Sequence, residues 1–445
     1  MAMGREGGRQ GQMMVLWDEL PKSPGHVFYD RLQAVLIEAG FDAFVEKLCK
    51  RHYAPAMGAP SLPPGRYFRM HLVGYFEGIA SERGLEWRCA DSLSLRDFLG
   101  LELRDRVPDH SWLSRTRARL PLEVHERVFS WVLEQLAEHG LIKGERIGID
   151  ASTMEANAAM RGIRRRDSGE TYRDMLTRMA EASGIATPTA AELKQLDRKR
   201  KGKRLSNAEW ASPTDPAARI TRMQDGRTRL AYKPEHAVDL DTEAIVAAEI
   251  HPADHGDTTT LAGTLAAAAQ GLSAAGCDPT IACPTELVAD KGYHSRAVLK
   301  DLADGPWQTR IAEPKPKDVQ RWRGDLDARR AVYGNRARLR SGVGKEALKL
   351  RAERVERSFA LTLERGGLRR AWLRGRENVQ KRYLVHVAGY NLGLVMRALL
   401  GVGTPKQLAA RGARLLWLFD PNLGLLVILL LPPQPGPDPT SSTRC

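Results

Sequence analysis

Three carboxylates stand where a chain can use them for chemistry. Asp150 closes a strand-like run at 146–150, within Gly148-Ile149-Asp150-Ala151-Ser152-Thr153. Asp290 closes a second, at 286–290, within Val288-Ala289-Asp290-Lys291-Gly292-Tyr293-His294. Glu356 lies in a helical run, Arg354-Val355-Glu356-Arg357-Ser358-Phe359. Oxygen-only donors of this kind suit Mg²⁺ or Mn²⁺, hard ions that keep waters and bind phosphate oxygens. Two such ions can hold the attacking and leaving oxygens in line at phosphorus, so the chemistry implied is phosphodiester cleavage or transfer. Each acid has a plainer use: Asp150 could cap a turn, Asp290-Lys291-Gly292 is an ordinary turn tripeptide, and Glu356 could join Glu353 and Arg357 in a surface ladder. Their joint placement favours the metal reading. Glu353 competes for the third place, but the apolar stripe Ala352, Val355 and Phe359 puts Glu356 at its edge and turns Glu353 away. His251, Asp254, His255 and Asp257 also crowd together, and read better as loop and helix-cap residues than as a metal cluster.

Positioning those acids takes an α/β layout. Strand signals run at 146–150, 227–240, 244–251, 286–290 and 308–313, the second and third joined by Asp241-Thr242-Glu243 as a hairpin turn. Helices are expected at 258–275, 295–302, 346–364 and 379–400. That order gives an antiparallel start and a parallel finish, a mixed five-stranded sheet flanked by helices. In a sheet ordered 3-2-1-4-5 the first and fourth strands are neighbours, so Asp150 and Asp290 sit side by side and a packed helix adds the third acid. The polar stretch 161–216, with Arg164-Arg165-Arg166 and the basic run 198–204, reads as an insertion or flexible arm. A basic irregular segment is expected up to about 345.

An all-α region precedes the sheet. Residues 26–50 and 65–83 carry apolar residues at three-and-four spacing, and Asp91 and Ser94 can cap a short helix ending at Gly100. Pro108-Asp109-His110-Ser111 stops one helix and starts another that carries Arg115, Arg117 and Arg119; a longer helix follows over 121–139. Short helices with an arginine-rich member could read DNA as a helix-turn-helix does, or could form a bundle that only dimerises. The organisation expected is a flexible 1–20, a helical DNA-binding or multimerisation domain over 21–142, a catalytic domain over 143–403 and an irregular tail over 404–445.

Charge points to the partner. Across 445 residues, 68 Lys and Arg stand against 54 Asp and Glu, a net +14 with 42% hydrophobic residues, which suits a folded chain with a polyanionic partner. Residues 314–382 alone carry +13 and residues 161–204 carry +7, leaving −6 for the rest. Arginine dominates both blocks, as phosphate contact favours. The alternative is a basic surface kept for solubility. Five cysteines without C-x-x-C spacing read as free thiols in a reducing cytoplasm, with no zinc site. No signal peptide is expected, and the run at 423–431 is too short to span a bilayer, so no membrane partner is expected.

The motifs resemble those of DDE transposases of bacterial insertion sequences. The resemblance runs over about residues 15–405. It rests on Pro64-Gly65-Arg66-Tyr67-Phe68-Arg69-Met70, Gly74-Tyr75-Phe76-Glu77-Gly78-Ile79, Ser81-Glu82-Arg83 and Pro108-Asp109-His110-Ser111 in the helical part. It continues in Asp150 through Glu155-Ala156-Asn157-Ala158, Val288-Ala289-Asp290-Lys291-Gly292-Tyr293 and Val355-Glu356-Arg357-Ser358-Phe359. The last pieces are Gly366-Gly367-Leu368-Arg369-Arg370, Leu373-Arg374-Gly375 and Tyr390-Asn391-Leu392. It implies an RNase H-like fold in which Asp150, Asp290 and Glu356 bind two Mg²⁺ (or Mn²⁺) ions. Water and then a DNA 3′-hydroxyl would be the nucleophiles, acting on double-stranded DNA, the element ends and then the target. The family's use of terminal inverted repeats implies a homodimer in the synaptic complex, working at the nucleoid in a bacterial cytoplasm. The DNA-binding candidates are Arg115, Arg117, Arg119, Arg164, Arg165, Arg166, Lys291, Arg354, Arg357, Arg365, Arg369, Arg370 and Arg374. Leu363 stands where related sequences often carry a basic residue, a role for which Arg357 and Arg365 are the substitutes. The alternatives are an RNase H-like nuclease without strand transfer and a catalytically inactive DNA-binding derivative.

Overall fold

The computed structural model describes residues 23–54, 61–201, 205–223, 225–315, 322 and 324–418; the N-terminal 1–20 and the apolar and Pro-rich tail segments lie outside them. Nine strands form. They are β1 (Arg146–Ala151), β2 (Met154–Glu155), β3 (Arg164–Arg165), β4 (Trp210–Ala211), β5 (Arg219–Arg222), β6 (Thr228–Asp239), β7 (Ile245–Pro252), β8 (Thr285–Ala289) and β9 (Trp307–Ile311). The five expected strands pair in the order β7-β6-β1-β8-β9, the 3-2-1-4-5 arrangement, with β7-β6-β1 antiparallel and β1-β8-β9 parallel. The sheet has seven strands rather than five, because β2 and β5 extend it along the N-terminal half of β6. With a helical region first and helices flanking the mixed sheet, this is the RNase H-like arrangement expected.

The open edges of β7 and β9 are met by side-chain amides. At β9, Asn335 of the helix Leu326–Arg340 accepts from the Ile311 amide at 2.9 Å and donates to its carbonyl at 2.8 Å. At β7, Gln380 and Asn391 of the helix Arg376–Leu400 do the same for Ile250 and Ala248, and for Ile245. An unpaired edge is an aggregation template, and these amides close it. The helix Leu326–Arg340 corrects the expectation of an irregular segment. Its inner face is only Ala328, Ala331, Val332 and Asn335, too small a stripe to read from sequence, and Arg338 packs inward to bond Thr309.

The described residues of the insertion form regular elements as well. Helices Tyr172–Ala182 and Ala190–Lys199 start at capping boxes from Thr171 and Thr189, and β3 pairs with β4. Met175, Leu176, Ala180, Leu193 and Trp210 are buried among them. So few apolar residues suffice because the unit is small, which is why its composition looked like that of a flexible arm.

Among the described residues seven α-helices make up the N-terminal region, and breaks fall at two places where the apolar spacing reads as continuous. Gly40 at φ +66° separates Pro24–Glu38 from Phe41–Cys49, and Gly78 at φ +72° ends Pro64–Glu77 before Ser81 caps Glu82–Ala90. Ser92, not Asp91, caps Leu93–Phe98, and Asp109 caps His110–Arg119 as expected.

These helices wrap the helix Arg376–Leu400, whose side chains are buried without interruption from Val379 to Met396. It lies against Pro64–Glu77, Leu122–Glu138 and β7. By length and composition it could cross a bilayer, but it is mostly buried in protein. Gly389 lets the Tyr75 ring approach, since a Cβ there would lie 2.9 Å from that side chain. Arg382, fully buried, donates to His71 Nδ1 at 2.7 Å and to the His71 and Ile79 carbonyls at 3.1 Å.

Glu249 on β7 offers a check on this packing. Burial pushes its carboxyl up to about 7, opposed by His251 and Arg376 and reinforced by Glu126 and Glu235. A folded pKa above the usual value of about 4.3 means stability is lost as pH rises through 7. Glu249→Gln should therefore be neutral near pH 4 and stabilise by about 1–2 kcal/mol at pH 8, read by urea melts. An equal effect at both pH values contradicts the burial assigned to it.

Candidate active site

The acids are set by strand register. Ile149 of β1 pairs with Ala289 of β8 in parallel, so Asp150 and Asp290 are the next residues on neighbouring strands, about 5 Å apart in backbone. Asp150 is 24% exposed and forms an ion pair with Arg351 at 2.7 Å. That nitrogen has no hydrogen-bond geometry to any partner, while Arg351 Nε donates to the Ile149 carbonyl at 3.1 Å. Burial pushes Asp150 up to about 6; the Asp290 and Asp257 charges push the same way, and Arg351 and the Ala151 amide oppose them. Asp290 caps the short turn Lys291–Tyr293, accepting from the Gly292 amide at 2.8 Å.

Glu356 sits apart from this pair. The helix Gly342–Phe359 packs across the sheet through Arg351, Val355 and Ser358, with Val355 and Arg351 fitting over Gly148 of β1, where a Cβ would overlap Leu240 and crowd both. Arg354 and Arg357 reach Glu243 at the β6–β7 turn, the end of β1 remote from Asp150. Two residues of helix are a 200° step, so Glu356 projects from the flank opposite Arg354. It is exposed and, among the described residues, has no hydrogen bond or ion pair. Among those residues no three His, Cys, Asp or Glu side chains are gathered closely enough to hold a metal ion. Asp150 and Asp290 are brought together; Glu356 is not. The helix carrying it passes at Ala360 into a π-helical turn through Arg365, and such turns recur at functional sites. Leu363 is fully buried in that turn, so its position is a core position here and not a phosphate contact.

Several residues of the site are silent in the sequence. Arg351 is one. His236 pairs with Asp150 in register, bonds Ser358 at 2.8 Å and Tyr383 at 2.6 Å, and stacks on Phe359 with centroids 4.1 Å apart. Burial pushes this imidazole down to about 3, so it stays neutral and fastens the Glu356 helix to β6. On the other face of β6, Glu235 is fully buried and accepts from the Tyr293 hydroxyl at 2.5 Å, with Thr260, Thr264 and His251 also bound to it. That anchors the turn after Asp290. The His251-Asp254-His255-Asp257 group disperses: His251 meets Glu235, Asp254 meets Arg219 at 3.6 Å, and Asp257 meets Lys233 at 2.7 Å.

The basic candidates divide by exposure. Lys291, Arg365 and Arg374 are exposed, as are Arg164, Arg166 and Arg370, the last beside the exposed Trp372. Arg115 is exposed on its own helix over Trp112, and Arg119 lies over Tyr53. Arg117 is buried and paired with Glu82, Arg165 is paired with Asp167, and Arg369 with Glu364 at 2.6 Å. Arg354 and Arg357 are held by Glu243. The charge blocks are thus partly spent inside the fold.

Residues 18–119 match a family described as Transposase domain (DUF772), and residues 182–392 match one described as Transposase DDE domain. Asp290 and Glu356 fall inside the second stretch, and Asp150 falls between the two. No curated protein and no solved structure matches the chain.

Proposed function

The chain belongs to the DDE transposases of insertion sequences, and on that premise we propose that it cuts DNA at the terminal inverted repeats of its own element and joins the cut ends to target DNA. The observation that carries this reading is the pair Asp150 and Asp290 at the ends of adjacent parallel strands. In the first step water attacks phosphorus and the 3′-oxygen leaves as a hydroxyl; in the second that hydroxyl attacks the target phosphodiester, whose own 3′-oxygen leaves and takes up the proton. Mg²⁺ or Mn²⁺, as two ions held by Asp150, Asp290 and Glu356, would supply the positive charge that stabilises the developing oxyanions. The donor set is all carboxylate, which fits hard cations, and Gly292 puts no side chain of its own beside the Asp290 carboxylate. Arg351 keeps the Asp150 carboxylate oriented and charge-balanced before they arrive. The exposed cations hold the duplex. The partners proposed are double-stranded DNA and a second copy of the chain in the synaptic complex, at the nucleoid of a bacterial cell.

Mapping the ends made by purified protein on a plasmid carrying the element tests this directly: cleavage with free 3′-hydroxyls at the inverted repeats is expected. Cleavage unrelated to the repeats supports a general nuclease, and binding without cleavage supports an inactive derivative. Salt dependence tests the basic residues separately. Six exposed cations near the site and insertion (Lys291, Arg365, Arg370, Arg374, Arg164, Arg166) predict a log–log slope of about −5, against about −12 were all thirteen candidates on phosphate. A flat response would remove the assignment.

A further inference from the structure

We propose that Asp257 is a fourth carboxylate of the metal site, held off the ions by Lys233 until they bind. The inference rests on the metal reading given above and adds a residue to it. Asp257 begins the helix Asp257–Ala274, which enters over the same end of the sheet as Asp150 and Asp290. A Cβ placed on Gly292 would overlap the Asp257 carboxylate and stand 3.0 Å from Asp290 Oδ1, so the two carboxylates face each other across a backbone that has room only for glycine. The Asp257 side chain is 36% exposed, so it is reachable by an ion in solution.

Lys233 explains how the acids coexist. Its side chain is 7% exposed, and its ammonium lies 2.7 Å from Asp257 Oδ1, with Thr260 Oγ1 at 2.9 Å and the His255 carbonyl at 3.3 Å. Arg351 plays the same part for Asp150. Carboxylates on neighbouring elements repel unless cations stand among them. Two built-in cations do so here, and both occupy positions a divalent ion would contest. Removing Asp257 should therefore weaken metal binding, and removing its competitor Lys233 should strengthen it. A merely structural ion pair predicts loss in both cases.

Mn²⁺ alone, titrated calorimetrically into the full-length protein without DNA, reads this apart from activity. Asp257→Asn should bind about ten- to hundredfold more weakly, with Asp257→Glu recovering most of the affinity. Lys233→Gln should bind about tenfold more tightly. Asp257 is partly exposed, so its variants are expected to melt as the parent does and can decide the matter even where Lys233→Gln does not fold. Unchanged affinity in Asp257→Asn, or weakened affinity in both Asp257→Asn and Lys233→Gln, overturns the assignment. Asp150→Ala is the control: where it abolishes binding and Asp257→Asn does not, only this inference fails. A parent that binds no Mn²⁺ removes both this inference and the metal reading beneath it.

Discussion

Asp150→Asn is expected to reduce end cleavage by on the order of a thousandfold or more while leaving affinity for element-end DNA unchanged. The size follows from losing a ligand to ions whose charge is worth several kcal/mol at the transition state. The substitution should do something else that a purely structural aspartate would not. In the metal-free protein Asp150 is pushed up to about 6 by burial and by its acidic neighbours, so its ionisation opposes folding. With the folded pKa above the usual value of about 3.9, the stability present at low pH is lost as pH rises through 6. Asparagine removes that cost. The variant should therefore be as stable as the parent near pH 4, more stable by about 1–2 kcal/mol at pH 8, and inactive at both. Parental cleavage by Asp150→Asn would remove the residue from the site. Lost stability at pH 8 would mean instead that the ion pair with Arg351 outweighs the burial of the charge. Asp290→Asn should match it in cleavage and binding.

The second large effect concerns the boundary near residue 142. Deleting residues 1–142 should abolish folding of the remainder, leaving no cooperative thermal transition and no activity. The reason is the helix Arg376–Leu400. It belongs in sequence to the catalytic part, yet its buried stretch from Val379 to Met396 is covered on one side by β7 and on the others by Pro64–Glu77 and Leu122–Glu138. Removing that cover exposes Val385 and Leu392, which face Phe41, Phe68, Leu72 and Trp131, each costing about 1.5–3 kcal/mol, against a total stability of about 5–15 kcal/mol. Arg382 would also lose the His71 and Ile79 carbonyls that satisfy it. Supplying residues 1–142 as a separate chain should restore a transition. A deletion that melts cooperatively on its own contradicts the shared core.

What the sequence discloses and what it hides divide along physical lines. Strands that are buried, short and apolar and that end on an acid announce themselves, so Asp150 and Asp290 and the 3-2-1-4-5 order were legible. Asn391 was recognised only as part of a motif; its use, closing the edge of β7, needs the fold. Charge counts cannot separate an arginine in water from one in the core, so Arg117, Arg351 and Arg382 were invisible as packing residues. Asp257 looked like a helix-cap residue because nothing local says that the chain brings it back against Asp290. Glu356 lies on the helix that periodicity predicts, but periodicity fixes a direction and not a distance, and the structure does not gather it with the two aspartates.

The central claim is that this chain joins DNA as well as cutting it. Pre-cut element ends carrying a labelled 3′-hydroxyl, incubated with the protein, Mn²⁺ and an unlabelled supercoiled plasmid, test that claim alone. Labelled strand covalently linked to plasmid, lost in Asp150→Asn, Asp290→Asn and Glu356→Gln, is the predicted result. Cleavage of uncut element ends by the same preparation with no such linkage would contradict it and leave a nuclease.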